Sequence, residues 1–300
     1  MRVFYSPAYV GSGYAFDTTR KAKWIADSLV ESPLPDIELA EPVPLTRDQV
    51  ATVHDAGYVA AVESGVPLDL AESQGFRWDS GLWPMVLASN GGAVAAAHAA
   101  LEQGVAGSLS SGLHHARHAS GAGFCTFNGL VIAAQAALSA GARSVLILDL
   151  DAHCGGGTTS LIAREDRIRQ VDVSVNSFDS YPSSERTRLA MVATSAEYLP
   201  TIRRMLHETG RQGHAFDLCL YNAGMDPFED CPTGGQAGIT RQILTDREMM
   251  VFEWCASLRL PIAFVLAGGY VGQSLDQSGL VALHRLTLAA ASRSQISHRS

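Results

Sequence analysis

Lysine is nearly missing from this 300-residue chain: Lys21 and Lys23 stand against twenty arginines, a bias that a GC-rich bacterial genome produces. Positive charge is also outnumbered. Twenty-two Lys and Arg face 30 Asp and Glu for a formal charge of −8, so there is no chain-wide basic field to hold a phosphate backbone, and nucleic acid is not an expected partner. The acidic balance tolerates, or mildly attracts, a cationic small molecule or a Lys/Arg-rich peptide. Cysteines are few and odd in number (Cys125, Cys154, Cys219, Cys231, Cys255), and no basic, apolar and small-residue signal pattern opens the chain. The expected compartment is therefore a reducing cytoplasm, without a disulfide framework. Long apolar runs are lacking too. The Ala-rich stretches 91–101 and 130–140 are interrupted and shorter than the roughly 20 residues of a membrane span. Gly11-Ser12-Gly13 does not make a dinucleotide fingerprint, and no Gly-Lys-Ser/Thr phosphate loop exists.

What is present is a chain that is 47% hydrophobic, long enough to bury roughly three quarters of its unfolded surface in one core. Short β-branched or Leu-rich runs alternate with longer helical stretches, the pattern of βαβ units. Strands are expected at 3–5, 106–110, 144–150, 169–175, 218–221 and 262–266. Asp17 is placed as the N-cap of a helix to about Glu31, Pro84 opens one ending at Gly104, and Thr240 one ending near Ser257. The expectation is one α/β domain over 1–300, a mainly parallel sheet with helices on both faces, closed by an Ala-rich helix and a polar tail at 292–300.

In such a sheet chemistry gathers in the loops leaving the carboxyl ends of the strands. Four loops carry reactive groups: Ser111-Gly112-Leu113-His114-His115, Asp149-Leu150-Asp151-Ala152-His153-Cys154, Asn222-Ala223-Gly224-Met225-Asp226, and Ala267-Gly268-Gly269-Tyr270. Asp151 and His153, two apart at a strand end, point the same way; the bland alternative is that Asp149 and Asp151 cap the next helix. With Asp226 from another strand they make an Asp, His, Asp set suited to zinc or iron with one position open for water. Adjacent His114 and His115 suit proton handling around that water, although alone such a pair is as often a surface loop. Tyr270 after two glycines reads equally as a core tyrosine. Cys154, beside a histidine and near a helix start, is a minor nucleophile candidate.

At these residues the chain resembles the histone deacetylase superfamily of the arginase/deacetylase fold, including bacterial acetylpolyamine amidohydrolases. The match runs through Gly112-Leu113-His114-His115-Ala116, Gly123-Phe124-Cys125, Asn128, Asp149-Leu150-Asp151-Ala152-His153, Ala223-Gly224-Met225-Asp226 and Gly268-Gly269-Tyr270, with looser likeness at Tyr5-Ser6-Pro7 and Val53-His54-Asp55. The resemblance implies one zinc on Asp151, His153 and Asp226, proton transfer by His114 and His115, and an electrophilic hydroxyl on Tyr270. It implies a structural potassium-type cation at Asp149, Ser174 and Val175, with the carbonyls of Asp151 and His153. Phe124 and Tyr181, with Gly123 and Gly268, correspond to the acyl channel. The implied substrate is an acylated amine (acetyl-lysine, acetylpolyamine or another small amide), and homo-oligomerisation stays open.

One departure stands out. The family commonly has His-Gly-Asp or His-Gly-Asn after the metal histidine, the last residue bracing the second histidine; here the chain reads Cys154-Gly155-Gly156. His115 is thus expected to lack a brace, and a catalytically impaired protein that binds acyl-amines without turnover is the alternative. The two-manganese ureohydrolase branch is excluded, because Gly155 stands where a second-metal ligand belongs and Gly224 where a paired aspartate would be.

Overall fold

The structure is a computed structural model that describes residues 1–211 and 215–294. Eight strands, β1 Arg2–Phe4, β2 Glu38–Ala40, β3 Val105–Ser108, β4 Val145–Asp149, β5 Ile168–Ser174, β6 Thr187–Met191, β7 Leu218–Gly224 and β8 Ile262–Ala267, form one sheet. Their order is β2-β1-β3-β8-β7-β4-β5-β6, and all seven pairings are parallel. The expected strands correspond to β1, β3, β4, β5, β7 and β8, while β2 and β6, the two edges, went unpredicted. The helices are α1 Asp17–Glu31, α2 Arg47–Ala51, α3 Ala56–Ser64, α4 Leu68–Ala71, α5 Leu82–Gln103, α6 Gly129–Ser139, α7 Gly156–Ile162, α8 Ser195–Arg211, α9 Arg241–Leu258 and α10 Gln277–Arg293. Of the expected polar tail, 295–300 lie outside the described residues.

The central strands β4, β7 and β8 are buried throughout and mostly apolar, because each face of the sheet has its own core. Along β8, Ile262, Phe264 and Leu266 pack into one cluster with Ile25, Ile202, Phe252 and Leu280, from α1, α8, α9 and α10. Ala263 and Val265 turn the other way, toward Leu82, Ala96 and Leu130 of α5 and α6. Strand β4 divides in the same manner, Leu146 and Leu148 against Val145 and Ile147. Each fully buried Leu, Ile or Phe contributes about 1.5–3 kcal/mol.

Local chemistry sets the helix ends. Thr240 accepts from the Ile243 N–H, as an N-cap should, and Gly104 ends α5 with its N–H on Ala100 O. Asp17 differs from expectation. It is the first residue of α1, after an N-cap Phe16 without a side-chain cap, and its carboxylate accepts instead from the Val271 N–H at 3.1 Å. Pro84 likewise sits two residues inside α5, which starts at Leu82.

A buried ion pair supports the site from below. Arg247 and Glu248 of α9 are fully buried; Arg247 Nε donates to Glu248 Oε1 at 2.8 Å, and the Tyr221 hydroxyl donates to the same oxygen at 2.8 Å. Arg247 Nη1 reaches across to the Leu150 carbonyl at 3.2 Å, holding the backbone next to Asp151.

Candidate active site

Four strand ends deliver the polar side chains to the carboxyl edge of the sheet, where β3, β8, β7 and β4 are neighbours. One cavity is lined there by His114, His115, Asp151, His153, Asp226 and Tyr270 together with Gly123, Phe124 and Gly268. It opens into a mouth of about 400 Å³ bounded by His115, Gly123, Phe124, His153, Asn176, Phe178, Thr233 and Tyr270.

On its floor, donor atoms of Asp151, His153 and Asp226 lie within 4.8 Å of one another. His153 Nδ1 is 3.1 Å from Asp151 Oδ1 and 3.1 Å from Asp226 Oδ2. These spacings match the edge of a tetrahedron with metal–ligand bonds of about 2 Å, roughly 3.3 Å. Among the described residues, buried Asp226 Oδ2 has no donor near it other than His153 Nδ1, a shortfall that a cation removes. The field agrees. Burial alone would lower the His153 pKa, but Asp151 and Asp226 outweigh it and push it up to about 11, so the pocket favours positive charge. The donor set fits a divalent metal, and Cys154 takes no part: its thiol is raised to about 12 by burial and its sulfur turns to the Asn176 carbonyl.

The two histidines differ in their surroundings. His114 Nδ1 lies 2.7 Å from Asp149 Oδ2, and Asp149 is itself set by Asn222 Nδ2 at 2.8 Å and the Asp151 N–H at 3.2 Å. Burial disfavours the charged His114 ring, yet Asp149 and Asp151 raise its pKa to about 10. For His115, burial and then the neighbouring charge on His114 dominate, and the pKa falls to about 4. The expectation that His115 lacks a brace is corrected here. Asp179, from the loop between β5 and β6, places Oδ2 2.9 Å from His115 Nδ1.

Tyr270 faces the same cavity from the loop after β8, with its ring centroid 6.2 Å from that of Phe124. Burial, followed by the charges of Asp226 and Asp151, pushes its phenol pKa upward, so the hydroxyl keeps its proton. Gly268 has to be glycine: its φ is +56°, and a Cβ would come within 2.3 Å of Asp226 Oδ1. Buried Lys21 of α1 fixes this loop from behind, donating to the Gly268 carbonyl at 2.6 Å.

Tyr181 does not line the channel, a second correction. Its hydroxyl is buried beside Asp172, and burial together with that charge raises its pKa. Phe178 takes the wall position, edge-on to His115 at 4.9 Å and lining the mouth together with Phe124. Asp179, between these two aromatics, has a φ of +59°, and this turn directs one ring into the channel and the other inward. Ser174, at the end of β5, hydrogen-bonds the His153 carbonyl at 3.3 Å, and the Val175 N–H donates to Ala152 O at 3.0 Å. Both therefore lie against the segment that carries Asp151 and His153. Asp179, Phe178 and the Asn222 support of Asp149 were not singled out from sequence, because each acts on a residue distant in the chain.

A parallel α/β sheet bearing these groups at its carboxyl edge is the arginase/deacetylase fold. The chain belongs to the histone deacetylase family, whose domain model matches residues 16–286. An uncharacterized protein of Picosynechococcus sp. is 31% identical over 252 residues, with 82% of each chain covered. Histone deacetylase 2 of Arabidopsis thaliana is 24% identical over 277 residues, covering 87% of this chain and 70% of the relative. Among solved structures, an acetylpolyamine aminohydrolase from Burkholderia pseudomallei superposes with a TM-score of 0.75 at 20% identity, covering 98% of this chain and 99% of that one.

Proposed function

We propose that this chain is a zinc-dependent amidohydrolase that removes an acyl group, most simply acetyl, from an amine. The observation that carries the reading is the convergence of Asp151, His153 and Asp226 on the floor of the cavity that His114, His115 and Tyr270 also line. Asp151, His153 and Asp226 would hold the zinc, which when bound would supply Lewis acidity, polarising a carbonyl and making a water more acidic. The residues of the chain do the rest. His115, with Nδ1 committed to Asp179, accepts the proton of the attacking water and returns one to the leaving nitrogen, contributing about 10² to 10⁴ in rate. His114, paired with Asp149, presents positive charge to the same water. Tyr270 donates to the developing oxyanion, worth about another 10² to 10³. Phe124 and Phe178 flank the acyl-amine stem and exclude water from it.

Asp149, Ser174 and Val175 are read as a structural monovalent-cation site, and the domain as one unit in a cytoplasmic setting. Against the alternative, an impaired protein that binds acyl-amines without turnover, speaks Asp179, which meets His115 where Gly156 has no side chain to do so. Substrate class is drawn from the relatives: acetylated lysine side chains or acetylated polyamines. The test is metal analysis of the purified protein combined with a turnover assay on a panel of acetyl-lysine peptides, acetylpolyamines and simple acetamides. Close to one zinc per chain with release of free amine supports the reading. Metal bound elsewhere, or a metal-loaded protein inert on the whole panel, overturns it.

A further inference from the structure

The aspartate on His115 occupies a place that the sequence motif leaves empty. It is nearly buried, its side chain only 7% exposed, and both of its oxygens are used. Oδ2 accepts from His115 Nδ1 at 2.9 Å and from the Gly157 N–H at 3.0 Å. Oδ1 accepts from the Arg117 guanidinium, and Arg117 also donates to the Gly156 carbonyl at 3.4 Å. The backbone of Asp179 is left-handed, with φ +59°, a conformation that aspartate, asparagine and glycine adopt most readily. Directly beneath it lies Gly156. A Cβ at 156 would stand 2.4 Å from Asp179 O and 2.5 Å from its Oδ1, so residue 156 has no side chain while Asp179 sits above it.

We propose that Asp179 is the positioning residue for His115 and that Gly156 is the vacancy it requires: the bracing carboxylate has moved from the strand-end motif after β4 to the β5–β6 loop. This rests on the proposed function for its catalytic meaning, but its structural content is independent. With the Nδ1 proton given to Asp179, Nε2 of His115 carries the lone pair on the cavity side. A loop anchor alone would need the Arg117 and Gly157 contacts and not the histidine.

The test compares the zinc-loaded wild type with Asp179→Gly, Asp179→Asn and Gly156→Ala. Glycine keeps the left-handed backbone and removes the brace; asparagine keeps an acceptor and loses the charge. Histidine-ring ¹⁵N correlation spectra, assigned with His115→Gln, are expected to show His115 as the Nδ1–H tautomer in wild type and Asp179→Asn. In Asp179→Gly and Gly156→Ala the ring is expected to become a tautomer mixture. On the acetyl-amine panel Asp179→Gly should lose about 10- to 100-fold in kcat with KM within about twofold and zinc content unchanged. Asp179→Asn should lose less. Adding Asp179→Gly to Gly156→Ala should cost nothing further, since both remove one contact. An unchanged His115 tautomer in Asp179→Gly overturns the proposal, and so does a kcat within about twofold of wild type. A wild type that turns nothing over defeats the proposed function instead, and the tautomer comparison still decides whether Asp179 orients His115.

Discussion

His54 offers a measurement of how the fold resists acid. The ring lies next to Phe127, centroids 5.1 Å apart, and is 1% exposed. Its Nδ1–H donates to the Arg117 carbonyl at 2.8 Å, and its Nε2 accepts from the Asn128 N–H at 2.9 Å. Only the neutral ring makes both bonds; a proton on Nε2 would face the amide proton of Asn128. Burial is the leading cause that lowers its pKa from 6.5 to about 4. The native state therefore holds the ring neutral where the unfolded chain would protonate it. Stability from this group is complete above pH 6.5 and falls as pH drops from 6.5 to about 4, a loss of about 3 kcal/mol in all at 1.36 kcal/mol per unit. At pH 5.0 about 2 kcal/mol of it is gone. His54→Gln keeps an acceptor for Asn128 and does not titrate. Urea unfolding followed by circular dichroism at pH 7.5 and 5.0 should show wild type losing about 2 kcal/mol more than His54→Gln between the two. Other acid-sensitive groups, Asp151, His153 and Asp226 included, are common to both proteins and cancel. Equal losses would refute the neutral-histidine account.

Tyr270→Phe should keep its metal and fold while kcat drops about 10² or more, read by steady-state kinetics with metal analysis on the same sample. Asp151→Ala and Asp226→Ala should each lose metal and activity together; full metal occupancy in both would undo the ligand assignment. Gly268→Ala should weaken metal retention, measured by competition with a chelator, because its Cβ intrudes on Asp226 Oδ1. Glu248→Gln should destabilise by about 3–5 kcal/mol in denaturant unfolding, since it leaves the buried Arg247 charge without its partner.

The parts of the fold legible in the sequence are those whose physics is local. Strands β4 and β8 are largely runs of Val, Ile, Leu, Phe and Ala that only a sheet covered on both faces buries, and Thr240 and Gly104 mark helix ends by their own chemistry. The edge strands lacked that signal. Glu38–Ala40 is three residues long and exposed or half-buried, and Thr187–Met191 is half-buried through Arg188, Leu189 and Ala190. The convergence of Asp151 and His153 was readable because the strand period brings the two to one side. Asp179 was not, because it meets His115 across 64 positions of chain and its own neighbourhood, Ser177-Phe178-Asp179-Ser180, looks like any polar turn. The choice between Phe178 and Tyr181 as channel wall depended on the left-handed turn between them, which no periodicity reports.

The place of β8 in the sheet has a bearing on how the protein is made. Of the eight strands this one is synthesised last, yet it lies between β3 and β7, pairing Val105 with Ile262 and Cys219 with Ile262. Until it leaves the ribosome the nascent chain can build only two part-sheets, β2-β1-β3 and β7-β4-β5-β6, each with an unpaired edge turned toward the gap. Asp151, His153 and Asp226 all follow strands of the second part, so the acidic pocket can gather before closure. The residues after β3 and the tyrosine after β8 join it only when the gap is filled. A chain that stalls before residue 262 thus has Asp151, His153 and Asp226 but neither β8 nor Tyr270 to complete the cavity.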